Sequence, residues 1–312
     1  MNRQSERKIL VITRRTRLDD LLYRHNTIEQ ARFYVESLGV DFEDYVVEDR
    51  VYKDALRTAE ALLSTLGRVQ LLERSFLPNF VFGKEDLVVV IGQDGLVANT
   101  LKYIPGKPVI AVNPDPDRFD GVLLPFQVKD LVSITRETLQ QQRTAQEITM
   151  ARASLSDGQT LLAVNDLFIG PERHTSARYT IEVDGQSEFQ SSSGVIISTG
   201  LGSTGWLKSI LAGATAVARL LGSPVPEAKI TEGFSWDSDR LFYSVREPFP
   251  SHTTGTDLVF GQITTKSNFT LTSAMPQEGV IFSDGLLQDA IDFNSGVRAQ
   301  VSIAEEKGLL VI

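Results

Sequence analysis

Short continuous apolar runs alternate with helical periods through the first half of the chain. Residues 9–13, 87–91 and 108–112 read as strands buried on both faces, Leu-Val-Val-Val-Ile at 87–91 being the strongest such signal. Ala31, Val35 and Leu38 recur at helical spacing behind Thr27 and Gln30, which are spaced as a capping box, and Gly39 stops that helix. Residues 42–47 read as a further strand, Val51 to Leu66 as a helix ended by Gly67, and 96–103 as another helix. This alternation predicts a parallel sheet with helices on both faces, whose ligands sit beyond the carboxyl ends of the strands.

The second half changes period. Residues 161–169, 178–183, 194–199, 241–245, 257–263, 268–273 and 280–282 read as short strands, with Asp184-Gly185 as a hairpin turn. One helix interrupts them, from about Thr204 to Leu221, and the polar stretch 129–150 reads as a helical bridge. The expected organisation is an α/β domain over 1–146 and a β-rich domain over 147–312, its C-terminal tail free to return to the first.

With 312 residues the chain is long enough for two such cores. Its net charge of −9 argues against a nucleic-acid surface. The absence of cysteine removes disulfides, thiolate zinc sites and thiol nucleophiles together. The polar start, Met1 to Lys8, leads straight into Ile9 with no apolar signal region, and no apolar run approaches the roughly 18 residues of a spanning helix. No membrane partner and a cytoplasmic location are expected.

Three segments can carry chemistry. Gly92-Gln93-Asp94-Gly95 joins the best strand to a helix, where glycines let backbone N–H groups approach a phosphate and a carboxylate can take a proton or hold Mg²⁺. The plainer alternative is a strand–helix turn with Asp94 as its cap. Asn165-Asp166 places two polar residues inside an apolar strand, which requires partners, either a ligand or backbone at a bulge. Ser198 to Trp206 again joins a strand to a helix through small hydroxyl residues and glycines, suited to anions or ribose hydroxyls, with Ser203 or Thr204 as N-cap. Arg14, Arg15 and Arg17 follow the first strand, a position for phosphate contact or for a solvated loop. His25, His174 and His252 are scattered, without metal-ligand spacing.

In this order the segments resemble the NAD kinase family, which has a Gly-Gly-Asp-Gly loop, an Asn-Glu pair, a Gly-Ser-Thr-Ala-Tyr segment and a late Asp-Gly. The counterparts are Gly92 to Gly95, Asn165-Asp166, Gly202-Ser203-Thr204-Gly205-Trp206 and Asp284-Gly285. Thr13 to Arg17, Val112 to Arg118, Val164 to Gly170 and Ser192-Ser193-Gly194 are similar to the branch of mitochondrial-type NAD kinases and plant NADH kinases. The resemblance implies phosphoryl transfer from ATP or polyphosphate to the adenosine-ribose 2′-hydroxyl of NAD or NADH, at a site between an α/β nucleotide-binding domain (1–146) and a β-rich dinucleotide-binding domain (147–312). It implies Asp94 as proton acceptor and as a ligand for Mg²⁺ or another divalent cation, with Gly92, Gln93 and Gly95 around the phosphates. It implies dinucleotide contacts from Asn113, Asn165, Asp166, Thr204, Gly205, Trp206 and Ser209, and the homodimer or tetramer common in the family. Gln93 stands where the family has glycine, Leu96 where it has threonine, and Asp166 where it has glutamate. Two alternatives remain open: a non-catalytic NAD(H)-binding sensor, and a lipid or sphingoid kinase sharing the glycine-aspartate-glycine loop.

Overall fold

The computed structural model describes residues 5–223 and 232–312, which form two compact units, residues 1–146 with 309–312 and residues 147–308. In the first unit, the described residues form a seven-stranded sheet in the order Arg68–Glu73, Lys8–Thr13, Leu87–Ile91, Pro108–Asn113, Gly308–Val311 and Ala145–Ile148, with the short Phe126–Gln127 also on Pro108–Asn113. The central pairings are parallel, Val11 opposite Val89 and Val89 opposite Ile110. Two short partners share one edge: Leu309 pairs with Pro108 at its start and Gln127 with Asn113 at its end. The strand between Pro108–Asn113 and Ala145–Ile148 thus comes from the end of the chain.

Alternation along the central strands fills both faces. Ile9, Val11, Val89, Ile91, Ile110 and Val112 pack with Tyr52, Ala59 and Leu63 of the helix Glu43–Leu63 and with Leu131 and Ile134 of the helix Leu131–Leu139. Leu10, Ile12, Val88, Val90 and Ala111 are equally buried and point the other way. Thr27 caps the helix Ile28–Ser37 by accepting from the Gln30 N–H at 3.2 Å, and Gly39 leaves it with φ +73°.

The segment 42–47 is helical, not a strand. The helix Glu43–Leu63 buries Glu48, Tyr52, Ala55, Ala59 and Leu63, a helical stripe whose first member is charged. Glu48 is 3% exposed and lies between Arg14 and Arg17, so the stripe is invisible to a count of apolar residues. The bridge 129–150 is also corrected. Its helix stops at Leu139, Gln141 takes φ +57°, and Ala145–Ile148 is a strand.

The second unit has two six-stranded sheets among its described residues, with antiparallel pairings throughout. One runs Gln186–Ser192, Ala177–Val183, Phe269–Ser273, Arg298–Ile303, Ala151–Leu155, Thr160–Ala163. The other runs Phe260–Thr264, Arg240–Val245, Val195–Ser198, Asp166–Pro171, Gly279–Ser283, Leu286–Asp292. Both feed one core, with Tyr179, Ile181, Phe269 and Leu271 from the first sheet and Leu167, Ile169, Ile197 and Tyr243 from the second. Asp184 and Gly185, at φ +48° and +87°, form the hairpin turn that their types require.

The run 161–169 is two strands. Thr160–Ala163 and Asp166–Pro171 belong to different sheets, and the break falls at Val164-Asn165. The helix of this half is Trp206–Leu220, behind a 3₁₀ turn at Gly202–Thr204. Among the described residues no helix is long and apolar enough to cross a membrane.

Candidate active site

In the first unit, Gly92 to Gly95 follows the strand Leu87–Ile91 and opens the helix Asp94–Leu101. The N-cap is Gln93, not Asp94, and it makes no side-chain cap hydrogen bond. Its φ of −115° and ψ of 165° are extended values open to any residue, so the loop shape does not demand glycine there. Gly92 has a packing reason: a Cβ would meet Leu96 Cδ2 at 2.8 Å. At Gly95 a Cβ would meet nothing within 4 Å. The Asp94 carboxylate reaches away from its own helix, accepting the N–H of Leu123 at 2.8 Å and that of Val122 at 3.3 Å.

Asn113 ends the next strand and is buried. Its Nδ2 donates to the Phe119 carbonyl at 2.8 Å and its Oδ1 accepts the Asp115 N–H at 3.0 Å. The amide therefore shapes the same connection that supplies Asp94 with its two N–H donors.

Arg14 and Arg17 are drawn into ion pairs. Arg14 donates to Glu48 at 2.9 Å and stacks 4.8 Å over the Tyr52 ring. Arg17 pairs with Glu48 and, at 2.7 Å, with Asp44, which Arg118 also grips at 2.6 Å. Burial alone would raise the Glu48 pKa, but the hydrogen bonds from Arg17 and Arg14 outweigh it and hold the carboxyl low. Hydrogen bonds from Arg118 and Arg17 hold Asp44 well below the usual carboxylate range. Tyr52, its own pKa pushed up to about 12 by burial, accepts the Arg14 N–H and donates to the Ile91 carbonyl, each at 2.9 Å. This network ties the ends of the first and third strands of the chain to the long helix, one residue before Gly92.

In the second unit the structure brings Asn165, Asp166 and the 199–205 turn together. The Asp284 carboxylate accepts the N–H groups of Val164 at 3.1 Å, Asn165 at 2.6 Å and Asp166 at 3.3 Å, and so bends the chain at the break between the strands. Thr199 hydroxyl donates to the Val164 carbonyl at 2.6 Å and accepts the Gly202 N–H at 3.2 Å. A Cβ at Gly202 would strike the Asn165 carbonyl carbon at 2.6 Å and Asp166 Oδ1 at 2.9 Å, so only glycine lets the two turns touch.

Asp166 Oδ1 is buried with no hydrogen-bond partner among the described residues. Burial pushes this carboxyl up to about 7; the Ser198 hydroxyl opposes the shift and the Asp284 carboxylate adds to it. Thr204 and Gly205 are exposed, and the N-cap of the helix is Gly205, without a side-chain cap. Ser203 is not that cap either: its hydroxyl donates to the Gly200 carbonyl at 2.6 Å and accepts the Phe234 N–H at 3.1 Å. Trp206 stacks on Phe168 at 5.8 Å, and Ser209 is exposed one turn along.

Sequence reasoning left Asp284 as a mere counterpart of a family motif and missed Glu48, Asp44 and the Val122 and Leu123 amides. A backbone donor leaves no signature in side-chain type, and a buried glutamate reads as surface. No group of three or more His, Asp or Glu side chains converges as a metal cage among the described residues. A magnesium ion of the kind held mainly by nucleotide phosphates needs only one protein carboxylate, and Asp94 fits that role through the second lone pairs of its oxygens.

An α/β unit whose parallel sheet takes in the C-terminal strand, together with an antiparallel β-rich unit, matches the two-domain NAD kinase fold. The solved structure of yeast NADH kinase in complex with NADH is similar to 99% of this chain over 84% of its own, at a TM-score of 0.57 and 14% identity. That of an NAD kinase from Archaeoglobus fulgidus in complex with ATP is similar over 98% of this chain and 93% of its own, at a TM-score of 0.53 and 17% identity. No family model and no curated protein sequence matches the chain.

Proposed function

We propose that the chain is a kinase that phosphorylates the adenosine-ribose 2′-hydroxyl of NAD or NADH, with ATP as donor and polyphosphate as the alternative donor. The observation that carries this reading is the Asp94 carboxylate. It stands past the carboxyl end of the central strand Leu87–Ile91, fixed by the Leu123 and Val122 amides. In an open α/β sheet that is where ligands bind. The fold shared with NADH- and ATP-bound kinases supports the choice of substrates.

In this reading the 2′-oxygen attacks the γ-phosphorus, the bond to the β-phosphate oxygen breaks, ADP leaves, and Asp94 accepts the hydroxyl proton. Phosphoryl transfer needs chiefly positioning and charge neutralisation. A divalent cation held by Asp94 would supply part of the latter, and the helix start at Asp94 and Gly95 adds positive potential. Asn165, Asp166 and Thr204 hold the dinucleotide. Asp166, with its carboxyl near the midpoint of titration at neutral pH, can either donate to or accept from a ribose hydroxyl.

The test is incubation with Mg-ATP or polyphosphate and, separately, NAD, NADH or diacylglycerol. NADP or NADPH is the expected product. Phosphorylated lipid would establish the lipid-kinase alternative, and NAD(H) binding without turnover on any acceptor would establish the sensor.

A further inference from the structure

The connection that holds Asp94 has no helix or strand of its own. Residues 114–125 run between the strands Pro108–Asn113 and Phe126–Gln127. Whatever anchors them decides where the Leu123 and Val122 amides stand, and with them the Asp94 carboxylate. Asn113 is one anchor, through the Phe119 carbonyl, and Gly121, at φ +67°, passes so close that a Cβ there would meet Asn113 Nδ2 at 2.7 Å. Arg118 is the charged anchor. Its N–H donates to the Asp115 carbonyl at 3.1 Å, and its guanidinium grips both oxygens of Asp44, at 2.6 and 3.2 Å.

Asp44 begins a stripe on the helix Glu43–Leu63. Asp44, Glu48 and Tyr52 recur every four residues and so share one face. Tyr52 donates to the carbonyl of Ile91, the residue before Gly92. Glu48 takes Arg14 and Arg17, and Asp44 takes Arg17 and Arg118. One helix face therefore fixes both the strand end that leads into Asp94 and the connection that supplies its two donors. A lone ion pair with side chains 26% and 43% exposed would hold little. A two-pronged arginine–carboxylate contact inside a network is the exception, because its geometry is defined on both partners.

We infer that Arg118 is a positioning residue for Asp94: clamped on Asp44, it holds the connection 114–125 so that the Val122 and Leu123 amides aim the carboxylate. The inference rests on the kinase reading, in which that carboxylate accepts the hydroxyl proton. Arg118 acts only through the connection, and its effect on the chemical step must therefore pass through Asp94. Displacing a proton acceptor by about 1 Å can cost on the order of 10²-fold in rate. A merely structural arginine would instead slow turnover by the same factor whether or not residue 94 is a carboxylate.

The experiment combines amide hydrogen exchange with initial-rate kinetics on the full chain, using Mg-ATP with NAD or NADH, for wild type, R118Q, R118K, D94N and the double variant R118Q/D94N. In R118Q the Val122 and Leu123 amides should exchange several-fold faster, while those of Val89 and Ile110 in the central strands stay as in wild type. The kcat of R118Q should fall by about ten-fold, part of the full misplacement cost because Asn113 still holds the connection. R118K, which keeps the charge without the planar fork, should fall between R118Q and wild type. In the D94N background the same R118Q change should cost less than about two-fold. Unchanged exchange at the two amides, or an equal fractional loss of kcat in both backgrounds, overturns the inference. Wild-type turnover in R118Q overturns it too and leaves the kinase reading standing. Faster exchange at the two amides in a protein that makes no NADP(H) overturns the kinase reading and leaves the link from Arg118 to the Asp94 donors in place.

Discussion

Two candidate aspartates, one in each unit, are set in opposite environments. Asp94, in the parallel unit, is partly exposed and accepts two backbone amides from a neighbouring connection. Asp166, in the antiparallel unit, has a buried oxygen with no hydrogen-bond partner among the described residues and a carboxyl pushed up to about 7. One carboxylate is tied into the scaffold by backbone amides. The other is held where ionisation is expensive, which fits a group that exchanges hydrogen bonds with hydroxyls. Such divergent environments are a common way to give two like side chains different roles.

The sharpest way to break this comparison is Asp94→Asn. On the kinase reading, kcat falls by roughly 10²-fold or more, the scale of losing a positioned base. The substitution is not sterically innocent. Asparagine offers one acceptor oxygen to two N–H groups, and its own NH₂ faces a donor, so a stability loss of about 1–3 kcal/mol is expected. Measuring kcat well below the melting transition separates the two effects. Wild-type turnover together with the stability loss would reduce Asp94 to a loop anchor.

The next effect is in pH. The folded pKa of Asp166, about 7, lies above the ordinary 3.8, so the native state keeps a proton that the unfolded chain releases. Stability from this group is full below about pH 4 and is lost as pH rises through about 7, a change on the order of 4 kcal/mol. Asp166→Asn should flatten that part of the stability–pH profile, read by denaturant titration at several pH values. An unchanged slope would mean that the buried oxygen is solvated in solution.

Much of the first unit was legible because its central strands are apolar on both faces, a pattern that few other elements share. Helix 43–63 was obscured at its start by Glu48, since a buried ion pair has the composition of a surface. In the second unit, the strand Gln186–Ser192 has one apolar residue, Phe189, and Leu286–Asp292 has apolar residues that do not alternate with polar ones, so neither shows a period of two. The break at Val164-Asn165 depends on Asp284, about 120 residues later in the chain, and no local pattern encodes that distance. The candidate residues stand out in the sequence as polar intrusions into apolar context. What each one touches does not, because Asp94 and Asn113 take backbone partners.

A smaller effect is expected at Gly202, where the contact between the two turns of the second unit can be tested without touching either carboxylate. Gly202→Ala places a methyl against the Asn165 carbonyl and Asp166 Oδ1. Overpacking of this kind costs about 1–3 kcal/mol, and both contacting atoms belong to rigid, hydrogen-bonded backbone or a buried side chain. The melting temperature should fall, and NAD(H) affinity measured on the folded fraction should fall with it, because the Asn165-Asp166 turn must move. Lost stability with intact affinity would separate this turn from the dinucleotide.

The smallest effect is expected at Gln93, although by sequence it is the residue most at odds with a phosphate-binding loop. Its extended φ and ψ already suit a side chain, and it makes no cap hydrogen bond, so Gln93→Gly removes no structural contact at the helix start. The stability change should be within a few tenths of a kcal/mol, since glycine is itself an acceptable N-cap. What glutamine adds is an amide NH₂ beside the first helical turn, able to donate to a phosphate oxygen. Losing one such bond to a charged group is worth about 1.5–3 kcal/mol when buried, and less at this half-exposed position. A several-fold rise in the KM for ATP, with NAD affinity unchanged, is therefore expected from initial-rate measurements. The ratio of ATP to polyphosphate turnover should move in the same experiment if the amide reads the donor. If the glycine variant instead turns over faster with unaltered donor KM, the side chain obstructs the phosphate, and the donor half of the site follows the family's glycine pattern after all.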